Sequence, residues 1–341
     1  MLSFASDYQE GAHPKILQRL AETNLLRSPG YGTDEYCARA RDKIKAACGA
    51  PDAAVYFLSG GTQTNLTVLD SLLASFEGVL AADTGHVSGH EAGAVELTGH
   101  KVLTVPHVRG KLTAAAAEGF LKRFYADDNR EHMVQPGAMY ISQPTEYGTL
   151  YSLAELTALR EVCNAYGLKL FADGARLAYA LGSEKNDVTL KDLARLTDVF
   201  YIGGTKCGAL LGEAVVIPDP TLLPRFFTQM KQHGALLAKG RLLGIQFDEL
   251  FRDDLYLKIG EGAIKAAERI RQALRSKGYR LCFDSPTNQI FCIMDNDALK
   301  KLEERVEYSY WGKYDEGHTV IRFATDWAIT EGETDALIDV L

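Results

Sequence analysis

Phe171-Ala172-Asp173-Gly174-Ala175-Arg176 and Ile202-Gly203-Gly204-Thr205-Lys206-Cys207-Gly208 decide how this chain folds. Each ends an apolar run, Leu168–Asp173 and Asp198–Ile202, that reads as a buried strand, and each stops at glycine beside one charged side chain. One helical segment separates them, so the two strands read as parallel neighbours. Outward from this pair the same alternation continues. Strand-like runs fall at Ala54–Ser59, Gly78–Asp83, Lys101–Pro106 and Ala138–Ser142, and Glu213–Ile217 looks like a strand that returns. Helical spacing follows at Thr62–Ser75. It recurs at Ser152–Tyr166, where Ser152 and Glu155 form a capping box and Gly167 ends the helix. Strands alternating with helices predict an α/β fold: a mostly parallel sheet covered on both faces, with its site at the carboxyl ends of the strands.

Beyond Pro218 the pattern changes. Helical spacing runs over Leu222–Leu257 and Lys258–Lys277. Strand-like Gln289–Met294, a helix at Ala298–Arg305, strand-like Thr319–Ala324 and a last helix follow. The expected division is a large α/β domain over residues 1–235 and a small α+β domain over 236–341.

The chain has 341 residues, 46% hydrophobic and 24% charged, enough for a large core without a disorder signature. A net charge of −8 argues against nucleic acid and anionic membrane as partners. No basic start precedes an apolar run, and no stretch is long and apolar enough to span a bilayer. The six cysteines form no C-x-x-C pair, which predicts reduced thiols and a cytoplasmic location.

Four features lie at strand ends. Ser59-Gly60-Gly61-Thr62 can bring backbone amides to an anion at a helix N-terminus, or can be a tight turn alone. His86, in Ala82-Asp83-Thr84-Gly85-His86, can stack on a flat ring and move protons, or can be a loop histidine. Asp173 needs a cationic partner if buried, or can be a helix cap. Lys206, crowded by glycines, is a candidate nucleophilic amine or a surface lysine. Singly, each has a plainer reading. Jointly, they are what a flat, cationic, phosphorylated ring requires. His86 and His90, with Asp173, leave a metal-dependent hydrolase as an alternative of another class, although no Glu completes a metalloprotease pattern. An idle binding module is the third reading, and an intact Lys206 and Asp173 speak against it.

At these residues the sequence resembles the threonine aldolase family of fold-type I enzymes dependent on pyridoxal 5'-phosphate (PLP), most specifically in Asp173-Gly174-Ala175-Arg176 and the Gly-Thr-Lys turn. The resemblance runs from Ser6-Asp7 to the last helix. It implies a seven-stranded, mostly parallel sheet, a small C-terminal domain, and active sites shared across a dimer within a homodimer or homotetramer. It also implies cleavage of a small β-hydroxy amino acid to glycine and an aldehyde, with β-elimination or transamination as alternatives on the same scaffold. By position it assigns Lys206 to the covalent bond with the coenzyme, Asp173 to the ring nitrogen, Gly61 and Thr62 to the phosphate, and His86 to stacking on the ring. Ser6, Arg176 and Arg322 fall where the substrate carboxylate is held, and Lys239 or Arg241 where a neighbouring subunit's phosphate is reached. Two departures stand out. Glu146 occupies the place of a histidine that contacts the substrate β-hydroxyl, and Gly85 is an addition before His86. The candidates for the base are His86, Glu146 or a water held by one of them.

Overall fold

The computed structural model describes all 341 residues. Leu2–Ser3 (β1) stands apart from the main sheet. That sheet comprises Ala54–Leu58 (β2), Glu77–Ala82 (β3), Lys101–Val105 (β4), Gln135–Ser142 (β5), Lys169–Asp173 (β6), Val199–Gly203 (β7) and Glu213–Ile217 (β8). Their order is β2-β8-β7-β6-β5-β3-β4. β8 alone runs against its neighbours, so the expected mostly parallel sheet of seven strands and the returning strand are both present.

Alternation along each strand explains why the runs are apolar throughout. Leu80, Met139, Ile141, Leu170, Ala172, Phe200 and Ile202 face one core. Val79, Ala81, Ala138, Tyr140, Phe171, Val199 and Tyr201 face the other. A parallel sheet buried on both sides needs an apolar residue at every position. The register places Ser142 beside Asp173, and Asp173, two residues after Phe171, falls on the second face. The helix Gly61–Leu72 covers that face through Val68 and Leu69.

The small layer contains Arg280–Leu281 (β9), Gln289–Asp295 (β10), Val306–Glu307 (β11), Ser309–Lys313 (β12) and His318–Ala324 (β13). Its four-stranded sheet has the order β12-β13-β10-β9. β1 pairs with β11, Leu2 opposite Val306. The chain therefore begins in the layer where it ends.

Two expectations change. The helical pattern over Leu222–Leu257 breaks into Phe226–Gln232 and Arg241–Leu250. Gly234, Asp253 and Asp254 adopt positive φ and interrupt it before Leu255–Ser276 begins. The expected division at residue 235 also falls inside the large core. Leu243, Phe247 and Leu250 join that core, as do residues up to Ile264, because the apolar face of Arg241–Leu250 packs against Glu35–Cys48. The small core begins with Phe4 and resumes only at Ala267.

Strand ends β6 and β7 meet backbone to backbone. The Gly203 amide donates to the Gly174 carbonyl at 2.9 Å. A Cβ on Gly174 would overlap the Tyr201 carbonyl oxygen, and one on Gly203 would overlap that of Ala175. Gly174→Ala is expected to lower stability by more than about 2 kcal/mol, measured by urea unfolding, with the Asp173 and Lys206 ends forced apart.

Candidate active site

Asp173 closes strand β6 with only 4% of its surface exposed. Tyr140 Oη donates to its Oδ2 at 2.6 Å, Asn65 Nδ2 donates to the same oxygen at 3.0 Å, and the Ala175 amide donates to Oδ1 at 2.9 Å. No cation of the chain forms a salt bridge with it: it appears in none of the ion pairs within 4.0 Å. Burial pushes its carboxyl pKa up, but the nearby His86 and these hydrogen bonds outweigh burial and hold it below the usual carboxylate range. The hydroxyl of Tyr201 is buried beside the same carboxylate, outside good hydrogen-bond geometry yet close enough to favour its charged form. An anion held ready in this way fits a ligand carrying a cationic ring nitrogen.

Lys206 follows β7 after the turn Gly203-Gly204-Thr205. Tyr179 Oη donates to its carbonyl oxygen at 2.5 Å, and its Nζ lies 5.8 Å from the centre of the Tyr8 ring. Burial, and the charge of Arg176 after it, lower the amine's pKa, and the carboxylates of Asp7, Asp173 and Glu213 only partly oppose them. An amine below the ordinary lysine range is more often neutral, hence more nucleophilic. The Asp173 charge thus acts on the Lys206 amine across the two strand ends. Glu213, which sequence reasoning passed over as a strand residue, accepts the Gly204 amide at 3.0 Å. Burial raises its pKa to about 8.

His86 opens the short helix His86–Gly89. Its amide donates to Glu146 Oε1 at 3.0 Å, and Ser142 Oγ donates to the same oxygen at 2.7 Å. Glu146 is 9% exposed, and burial raises its pKa above the ordinary glutamate value against the opposing Ser142 hydrogen bond. No hydrogen bond engages its Oε2. The His86 ring lies 2.7 Å, Nδ1 to Oε1, from Glu91, another residue that the sequence did not single out.

The other end of the site is cationic. Arg176 is gripped by Asp7, Nε to Oδ2 at 2.6 Å and Nη2 to Oδ1 at 3.0 Å. Asn288 also donates to Asp7 at 2.9 Å. The Asp7 carboxyl is fully buried, and although burial works to raise its pKa, the charges of Arg176 and Lys206 hold it well below the usual range. This pairing differs from a guanidinium wholly free for substrate, since only Nη1 of Arg176 is unclaimed. Arg322 donates to Gln289 Oε1 at 3.1 Å, to the Ala5 carbonyl at 3.1 Å and to Ser309 Oγ at 2.9 Å. It has no carboxylate partner, and its Nε is buried and unsatisfied. Burial, then the charge of Arg176, lowers its pKa to about 10. Ser6, half-buried, sits between Ala5, which Arg322 holds, and Asp7.

At Gly61-Thr62 the helix Gly61–Leu72 begins with no side-chain cap. Its first amides have no intrahelical acceptor, which suits an oxyanion. Arg241 does not extend outward. It donates to the carbonyls of Leu26 at 2.5 Å and Asn24 at 2.9 Å in its own chain. Lys239 is exposed. His86, His90 and Asp173 do not gather as ligands, and no three His, Cys, Asp or Glu side chains do so anywhere in the chain.

Residues 3–294 match the beta-eliminating lyase family. A low specificity L-threonine aldolase of Pseudomonas aeruginosa is 32% identical over 309 residues, covering 89% of this chain and 87% of that protein. The chain belongs to the threonine aldolase family. The solved structure of a threonine aldolase from Leishmania major is 44% identical, with a TM-score of 0.97, and covers 100% of this chain and 98% of that one. A histidinol-phosphate aminotransferase of Clostridium acetobutylicum, 14% identical at TM-score 0.75 over 100% of this chain and 98% of its own, shares the fold alone. As a threonine aldolase relative of fold type I, the chain is a lyase dependent on PLP.

Breaking the Asp7–Arg176 pair tests the cationic pole. Asp7→Asn leaves Arg176 buried without its counter-ion and is expected to cost about 3–5 kcal/mol at pH 7, measured by denaturant unfolding. Because the folded carboxyl is depressed, its contribution is full above ~4, the ordinary aspartate value, and is lost as pH falls below it. The gap between wild type and D7N should narrow in acid.

Proposed function

We propose that the chain cleaves the Cα–Cβ bond of a threonine-like β-hydroxy amino acid, releasing glycine and an aldehyde. The observation that carries this reading is Glu146, a buried carboxyl with one oxygen fixed by His86 and Ser142 and the other unengaged. It follows the strand beside Asp173, at the place to which the family resemblance assigns a histidine. A carboxyl of raised pKa in that place is a better acceptor for the β-hydroxyl proton than an ordinary glutamate.

PLP, when bound, supplies an electron-poor ring that takes up the electron pair left at Cα. Lys206 would hold the coenzyme covalently, Asp173 would accept from its ring nitrogen, His86 would contact its ring, and the Gly61 and Thr62 amides would receive its phosphate. Arg322 and Ser6, with Nη1 of Arg176, would hold the substrate carboxylate and so orient the Cα–Cβ bond. Glu146 would take the hydroxyl proton as that bond breaks, and the Lys206 amine would return a proton to Cα. The same reading includes a homodimer or homotetramer. Tyr8, Leu25, Leu26 and Tyr31 are 57%, 92%, 55% and 44% exposed, apolar surface that a second copy could cover. Lys239 remains the candidate for a neighbour's phosphate. Six free thiols and no helix long and apolar enough to cross a membrane accord with a cytoplasmic protein.

Two measurements test this. Purified protein should show an absorption band near ~420 nm from coenzyme bonded to lysine, and Lys206→Ala should lose it. Incubated with threonine, the enzyme should yield glycine and acetaldehyde. Pyruvate and ammonia from serine, without glycine, would assign β-elimination instead. Glu146→Gln should lower kcat by ~10²-fold or more. It should also remove the limb of the rate profile that rises with pH, because the wild-type base must first lose its proton.

A further inference from the structure

Two buried carboxylates share one donor. Asn65 Nδ2 donates to Asp173 Oδ2 at 3.0 Å and to Glu91 Oε1 at 2.7 Å. Glu91 Oε1 also lies 2.7 Å from His86 Nδ1. Glu91 is 6% exposed, Asn65 is fully buried, and Glu91 Oε2 has no partner. The ring of His90, 5.8 Å away, leans towards His86 without bonding to it. None of the steps above uses Glu91.

We infer that Glu91 is a positioning residue that, whenever the His86 imidazole is neutral, fixes its proton on Nδ1 and leaves Nε2 as the lone pair, with Asn65 linking Glu91 to Asp173. The chemistry follows from the donors. Asn65 spends an amide hydrogen on Glu91 Oε1, which confirms that oxygen as an acceptor, so the short contact to Nδ1 requires the hydrogen to come from the imidazole. A ring so oriented turns Nε2 to the other side as a lone pair. The same amide ties two like charges to one group, so the imidazole plane and the Asp173 carboxylate are set by a single helix residue. The inference rests on His86 facing the coenzyme, as proposed above.

Nitrogen-15 spectra of histidine-labelled, coenzyme-loaded enzyme test it, with H86N used to assign the signal. The expected result is a proton on Nδ1 in wild type and in E91Q, whose amide oxygen can still accept. In E91L the proton should move to Nε2, and kcat should fall about tenfold or more with KM altered far less. A proton on Nε2 in wild type overturns the inference, as does an E91L enzyme with unchanged tautomer. If E91L fails to fold, the wild-type spectrum still decides between the two. Failure to take up coenzyme at all would instead strike the functional reading on which the inference depends.

Discussion

A carboxylate sealed at the end of a buried strand, with no salt bridge to a cation of its own chain, governs this structure. Desolvating such a charge costs several kcal/mol unless donors surround it. The fold supplies them from three directions: Tyr140 from the adjacent strand, Asn65 from the covering helix, and the Ala175 amide from the turn that follows. These donors keep the acid ionised without neutralising it. No salt bridge closes on the acid, and the positively charged nitrogen of PLP would fit beside it in the proposed reading.

The other charges arrange themselves around this demand. The Lys206 amine is depressed by burial and by Arg176, so it can be a nucleophile although three carboxylates stand near it. Arg176 is kept from competing for those acids by Asp7, which claims two of its nitrogens. Arg322, denied a carboxylate, is left with an appetite for one. The buried acids Asp173 and Glu91 thus share Asn65 as a donor, while Arg176 and Arg322 stand apart with Asp7 engaged by Arg176.

The strand ends were legible in the sequence because a parallel sheet forces uninterrupted apolar runs, and a charged residue after such a run has few places to go. Asp173 and Lys206 stood out for that reason, and the capping box at Ser152–Glu155 marked a helix start that the structure keeps. Glu91, Asn65, Asp7 and Glu213 were harder. Each is an ordinary polar residue in its own segment, and its significance comes from a partner far away in the chain, such as the 169 positions between Asp7 and Arg176. The helix breaks at Gly234 and Asp253-Asp254 were hidden because the apolar spacing continues across them. The division of the cores was hidden because the helix Arg241–Leu250 matches the large layer only through its contact with Glu35–Cys48. Strand β12 was equally obscure, since Ser309–Lys313 at a sheet edge carries no buried alternation.

The pairing of β1 with β11 sets when the N-terminal segment can order. Leu2 is seated on Val306, the Phe4 amide donates to the Glu307 carbonyl, and Arg322 grips the Ala5 carbonyl. Ser6 and Asp7 are thereby tied to strands far later in the sequence, although Arg176 also claims Asp7. The large sheet can close without those strands, but the first residues dock only once they are present. The N-terminal segment is therefore among the last parts of the molecule to order.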